Sequence, residues 1–144
     1  MNIKSNILLI LTTLFMALFF IACSQKNNQY LSKNNDKLEN INWKLESLNG
    51  KNINKSSKDA FIKFDRDLKV FGNLGCNNFF ARYKLDKNIL HISKIGSTMM
   101  MCQNMETEQN FLKILEEVKN YKIDNNILIF FSDENKELAK FIKE

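Results

Sequence analysis

The chain has 144 residues, 44% of them apolar, which suits one ordinary domain core and excludes a disordered or low-complexity protein. Lys and Arg number 21 against 16 Asp and Glu, but only Arg66 and Arg82 are arginines, and the lysines are diluted with Asn, Ser and Asp. A nucleic-acid reader concentrates Arg and aromatic residues on one element, so the net charge of +5 reads as a solvated surface, with no nucleic-acid partner.

The first element is a leader. Met1-Asn2-Ile3-Lys4 precedes an apolar run from Ile7 to Ile21, then Ala22-Cys23-Ser24-Gln25. A charged start, an apolar middle and a small residue before a cut site form a secretory signal over residues 1–22. Fifteen residues at 1.5 Å each reach roughly 22 Å, short of the ~30 Å hydrocarbon core, so cleavage fits better than a spanning helix. Phe20-Ile21-Ala22-Cys23 resembles a bacterial lipobox, with Phe20 where Leu is usual. The resemblance implies that the Cys23 thiolate takes a diacylglyceryl group, that the leader is cut before it, and that the new N-terminus is acylated. Each buried methylene adds about 0.8 kcal/mol of membrane affinity, so two or three chains anchor a small protein. Ser24 stands where Asp retains such proteins in the inner membrane of enteric bacteria; by resemblance it implies the periplasmic face of the outer membrane.

Residues 24–40 are rich in Asn, Lys, Gln and Ser and lack apolar periodicity. They read as a flexible tether, which with Cys23 makes up residues 23–40. The body is then expected over residues 41–144. Ile41, Trp43 and Leu45 alternate with polar residues as a half-buried strand, and Asn49-Gly50 is a turn signal. Ala60–Phe64 and Leu68–Gly72 read as a hairpin around Asp65-Arg66-Asp67. Phe79–Leu85 and Ile89–Ile95 follow, turning at Asp86-Lys87-Asn88. Helical spacing is confined to the next segment, where Phe111, Leu112, Ile114, Leu115 and Val118 share one side. With Asn104 as N-cap, it predicts a helix over about residues 104–119. Tyr121–Ile123, Ile127–Phe131 and Leu138–Ile142 complete the set. The prediction is an α+β, β-rich fold: a curved antiparallel sheet or barrel-like body of seven to eight short strands, with one covering helix.

With Cys23 assigned to lipid, Cys76 and Cys102 remain as a possible disulfide in an oxidising compartment, or as two small buried thiols. Gly72 and Gly75 are expected to supply positive φ where a hairpin turns into the next strand, with Asn77 capping that turn. Trp43 is expected to plug one end of the core. Met99 to Met101 are expected to fill the gap between sheet and helix.

Three patterns together resemble the META/HslJ-like domain family of small bacterial envelope proteins. They are Trp43-Lys44-Leu45, the block from Gly72 through Gly75-Cys76-Asn77-Asn78-Phe79 to Tyr83, and Ser97-Thr98-Met99-Met100-Met101-Cys102 followed by Glu108, Phe111-Leu112 and Leu115. Thr98 and Met100 belong to this motif set. Ala81 stands where the family usually has Gly. The resemblance implies a β-rich, barrel-like fold with one helix, and stress-linked envelope proteins without established enzymatic chemistry.

The residues themselves point away from catalysis. His91 is the single histidine and sits between Leu90 and Ile92, so it is expected to face solvent. No histidine neighbours either cysteine, and no phosphate loop or zinc spacing is present, so no cofactor is expected. Glu108 falls on the apolar side of the helix near its start. It reads either as a capping carboxylate or as one lining a ligand cavity. The expected function is a membrane-anchored, non-catalytic protein that binds an envelope protein or cell-wall component. A barrel binding a small hydrophobic ligand is the alternative, and a copper binder using Cys76, Cys102 and the methionines is a third reading.

Overall fold

Residues 38–53, 60–103 and 105–144 are described in a computed structural model. The leader, Cys23, the tether up to residue 37 and the proposed cap Asn104 lie outside the described residues.

Among the described residues the chain forms nine strands, several of them alternating apolar and polar side chains: β1 (Asn42–Leu48), β2 (Lys51–Asn52), β3 (Phe61–Phe64), β4 (Lys69–Asn73), β5 (Asn78–Asp86), β6 (Ile89–Ser97), β7 (Asn120–Asp124), β8 (Ile127–Phe131) and β9 (Glu137–Lys143). One helix, α1 (Glu106–Glu117), joins β6 to β7. The strand beyond the expected seven to eight is the two-residue β2, which folds back on β1 through Asn49 and Gly50, both with positive φ.

The strands form one antiparallel sheet in the order β2-β1-β3-β4-β5-β6-β7-β8-β9, and β9 returns to pair with β1. The sheet therefore curls into a ring. It stops short of a regular barrel because β6 and β7 share a single register pair, Ile89 with Asn120, before they diverge. The helix belongs to the chain that leaves at this divergence, and its face of Phe111, Ile114 and Leu115 is buried.

The ring is filled. Phe79, Phe111, Phe141, Phe130, Phe64 and Tyr83 run through it as a continuous series of ring contacts, with centroids 4.9 to 6.4 Å apart. Burying one such side chain is worth roughly 1.5–3 kcal/mol, so this series is the main apolar contribution to the fold. Trp43 is fully buried and its indole N–H donates to the Leu38 carbonyl at 3.0 Å. Leu38 is itself fully buried, and Asn40 N–H donates to the Phe64 carbonyl. Leu38 and Asn40, which precede the expected start at residue 41, are thus already joined to the body. A single apolar residue in a polar stretch carries no periodicity, but Leu38 docks beneath the indole.

Gly72 corrects another expectation. Of the two motif glycines, Gly75 has positive φ, at 108°. Gly72 lies inside β4, where an added Cβ would run into the Phe61 carbonyl and come within 2.9 Å of the Phe79 ring. Its role is close approach of two strands and a ring.

Candidate functional site

The site grows from the turn between β4 and β5. Asn73 accepts a hydrogen bond on its side-chain oxygen from Gly75 N–H at 2.8 Å, and Leu74 N–H donates to the Asn77 carbonyl at 2.8 Å. With Gly75 left-handed, this tight turn directs Asn77 inward, where it is 1% exposed.

Every polar group of the Asn77 side chain is used. Its amide nitrogen donates to the Met100 carbonyl at 2.9 Å, and its oxygen accepts from Met100 N–H at 2.7 Å and from the Thr98 hydroxyl at 2.8 Å. The side-chain amide thus pairs with a backbone as a strand residue would. Its other amide hydrogen is shared by the Glu108 carboxylate, at 3.0 Å to Oε1 and 3.1 Å to Oε2, while Asn77 N–H donates to Oε2 at 2.9 Å. Thr98 adds a second link by accepting from Asn78 N–H at 3.2 Å.

Glu108 is 6% exposed, so its charge depends on these donors and on the N-terminal turn of α1, in which it sits. Asn77 therefore binds three elements together: its own turn, the segment after β6, and the helix. Among the described residues, no buried side-chain polar atom lacks a partner. Met105 is the N-cap residue and makes no side-chain cap, so the carboxylate of Glu108 is spent on the turn.

Cys76 and Cys102 form a disulfide with Cα atoms 6.2 Å apart, across the same turn and segment. Met99 to Met101 lie between, and here the sequence expectation is corrected. Met99 and Met101 are 95% and 97% exposed, and Met100 is exposed too. Met100 has its backbone committed to Asn77 and Cys102 its sulfur to Cys76, so the segment is held along the rim with its thioethers outward. Phe79, Phe111 and Leu115 fill the space between sheet and helix.

His91 faces solvent, with Leu90 and Ile92 buried on either side. No three His, Cys, Asp or Glu side chains among the described residues are grouped to hold a metal ion. A second polar cluster lies around Tyr83, the last residue of the motif block that begins at Gly72. Its hydroxyl is 2.8 Å from Glu39 Oε1 and 2.9 Å from the Asp65 carbonyl. Burial pushes the Tyr83 phenol far above its usual value, and the Glu39 carboxylate pushes the same way. Burial also raises Tyr121.

Sequence reasoning also missed the outward aromatic pair Phe71 and Phe80, directly opposed on β4 and β5. They line a shallow groove of about 330 Å³ with Lys69, Val70, Ala81, Arg82 and Lys94. The available signal was phase: Phe80 follows Phe79, and in a strand only one of two successive rings can face the core.

Known proteins share this architecture. A protein solved by NMR is 24% identical, with a TM-score of 0.61 over 74% of this chain and 92% of that one. A second NMR structure, from Burkholderia xenovorans, is 17% identical, with a TM-score of 0.60 over 85% of this chain and 93% of that one. The crystal structure of a DUF4847 family protein from Bacteroides vulgatus is 12% identical, with a TM-score of 0.55 over 74% and 94%. At these identities the likeness is one of fold. No curated protein matches. The META domain family is matched by residues 36–144, a stretch that takes in Leu38, the Asn77 turn, the disulfide, the helix and all nine strands. The chain belongs to the META domain family.

Proposed function

We infer that this chain is a lipid-anchored envelope protein whose META domain binds a partner and performs no catalysis. The observation that carries this reading is the filled ring. Six aromatic side chains in unbroken contact occupy the interior, where a barrel would otherwise hold a small ligand. The polar groups at the mouth are equally committed, since Asn77 and Glu108 satisfy each other and the two thiols are joined. Recognition then falls to the outer surface. The rim segment of Met99 to Met101 offers flexible apolar side chains on a backbone held by the disulfide and by Asn77.

The sequence supplies the location. The leader and Cys23 imply acylation, Ser24 implies by resemblance an outer-membrane position, and the family resemblance suggests a part in tolerance of envelope stress. The partner class is an envelope protein or a cell-wall component. Crosslinking in intact cells, with identification of what is captured, tests the binding role. A Met99→Ser, Met101→Ser variant that captures the same partners equally well removes the rim from it. Mass analysis of the native protein tests the anchor: a chain retaining residues 1–22, or beginning at Cys23 without acyl mass, overturns it.

A further inference from the structure

The outer face of β4 and β5 carries rings where strand alternation would place polar side chains. Phe71 and Phe80 are 39% and 65% exposed. The Phe80 ring lies over Gly96, its register partner on β6, and would meet an added Cβ there at 2.6 Å. Four cations surround the pair. Lys63 is paired with Phe71 across β3 and β4, Lys69 and Arg82 are the next outward pair along β4 and β5, and Lys94 lines the groove from the β6 bulge. Among the described residues, only Lys69 of these four meets an acid, Asp67 at 3.6 Å with both side chains largely in solvent.

Rings bordered by cations suit an anionic partner with an apolar layer. A glycan would need acceptors as well as donors for its hydroxyls, whereas the cations here only donate and the nearby Asn73 and Asn78 amides are bonded to each other at 3.0 Å. A bilayer interface needs only apolar tips and cations at phosphate height. We propose that this face docks on an anionic phospholipid surface. Phe71 and Phe80 enter the boundary between headgroups and acyl chains, and Lys63, Lys69, Arg82 and Lys94 meet the phosphates. The proposal rests on the anchored reading for its local concentration. Cys23 and Leu38 are separated by residues 24–37, at most about 50 Å of chain, so the body stays within reach of the bilayer that holds the acyl group.

The test uses the full chain in phosphatidylcholine vesicles with and without about one-third phosphatidylglycerol. Lysines are acetylated briefly and read by mass spectrometry. Lys69 and Lys94 are expected to react about threefold more slowly, or slower still, on the anionic vesicles, and high salt removes this protection. Lys113 on the helix and Lys122 on β7 serve as controls and react equally on both. Arg82→Glu weakens the protection of Lys94, and adding Phe71→Ser abolishes it, with the urea midpoint of each variant confirming that it folds. Equal labelling of Lys94 on the two vesicles overturns the docking whatever the state of Cys23, and so does protection by a soluble anionic glycan with none by vesicles. The N-terminal peptide of the same sample reports acylation separately. An unacylated chain that still protects Lys94 supports the docking and counts against the anchor alone.

Discussion

Asn77 and Glu108 stand 31 residues apart in sequence and meet through three hydrogen-bond contacts of 2.9 to 3.1 Å, buried beneath the rim. This pair explains why a helix with no side-chain cap holds its place against the ring. Glu108→Gln keeps the shape but sets an amide nitrogen against a donor of Asn77, and removes the charge that strengthens the contact. We expect it to cost about 2 kcal/mol, and Asn77→Ala about 3, because the latter leaves the carboxylate only the backbone N–H of residue 77 and strips Met100 and Thr98 of their side-chain partner. Urea unfolding of the two variants and their double mutant measures this. Additive losses would mean that the pair does not act as a unit.

The disulfide repeats the link from turn to rim by a covalent route. Replacing Cys76 and Cys102 by Ser opens a loop of 26-residue separation, which on the loop-entropy argument lowers stability by about 3.5 kcal/mol. The Asn77 bonds span the same gap, so the double variant is expected to fold with an unchanged circular dichroism spectrum and a lower urea midpoint. A variant that loses its β-sheet signal would show that the hydrogen bonds cannot hold the rim unaided.

Much of this was legible beforehand, and the misses have physical causes. Trp43, Leu45 and Phe64 alternate with polar neighbours, so their strands follow from period alone. The helix face of Phe111, Ile114 and Leu115 follows from its own period in the same way. Met99 to Met101 were misread because composition predicts burial only when the backbone is free to turn inward. Here that backbone is committed to a residue 23 positions upstream, a constraint with no local signature. Gly72 reads as a turn residue in sequence because a glycine near a turn looks the same whether it supplies φ or space. The partnership of Asn77 with Glu108 joins two polar residues from different elements, and no spacing rule connects them.

Alkaline pH tests the Tyr83 cluster. The folded chain holds the Tyr83 and Tyr121 protons more tightly than the unfolded chain does, since burial raises both phenols. Their contribution is complete below the unfolded phenol value of about 10 and is lost as pH rises above it. Stability is therefore expected to fall with pH in that range, and tyrosinate absorbance to appear together with unfolding. Tyr83→Phe removes the contacts to Glu39 and Asp65, costs about 1 kcal/mol at neutral pH, and flattens the alkaline decline. Urea midpoints from neutral to alkaline pH provide the comparison, and an equal slope in the variant would assign the decline to other groups.

The exposed thioethers separate a structural role for the rim from a recognition role. A methionine that packs a core resists oxidation until the protein opens, and its sulfoxide destabilises the fold. Met99 and Met101 stand almost wholly in solvent, whereas Met105 is half-buried at the start of the helix. Dilute peroxide is therefore expected to oxidise Met99 and Met101 ahead of Met105, and the urea midpoint to stay within about 0.5 kcal/mol of the untreated protein. Peptide mass analysis gives the order, and unfolding gives the cost. If the two sulfoxides lower stability as a core lesion does, the rim methionines pack against something in solution and cannot be free for a partner. If the fold is indifferent and crosslinking to the partner falls, polarity at those two positions matters for recognition.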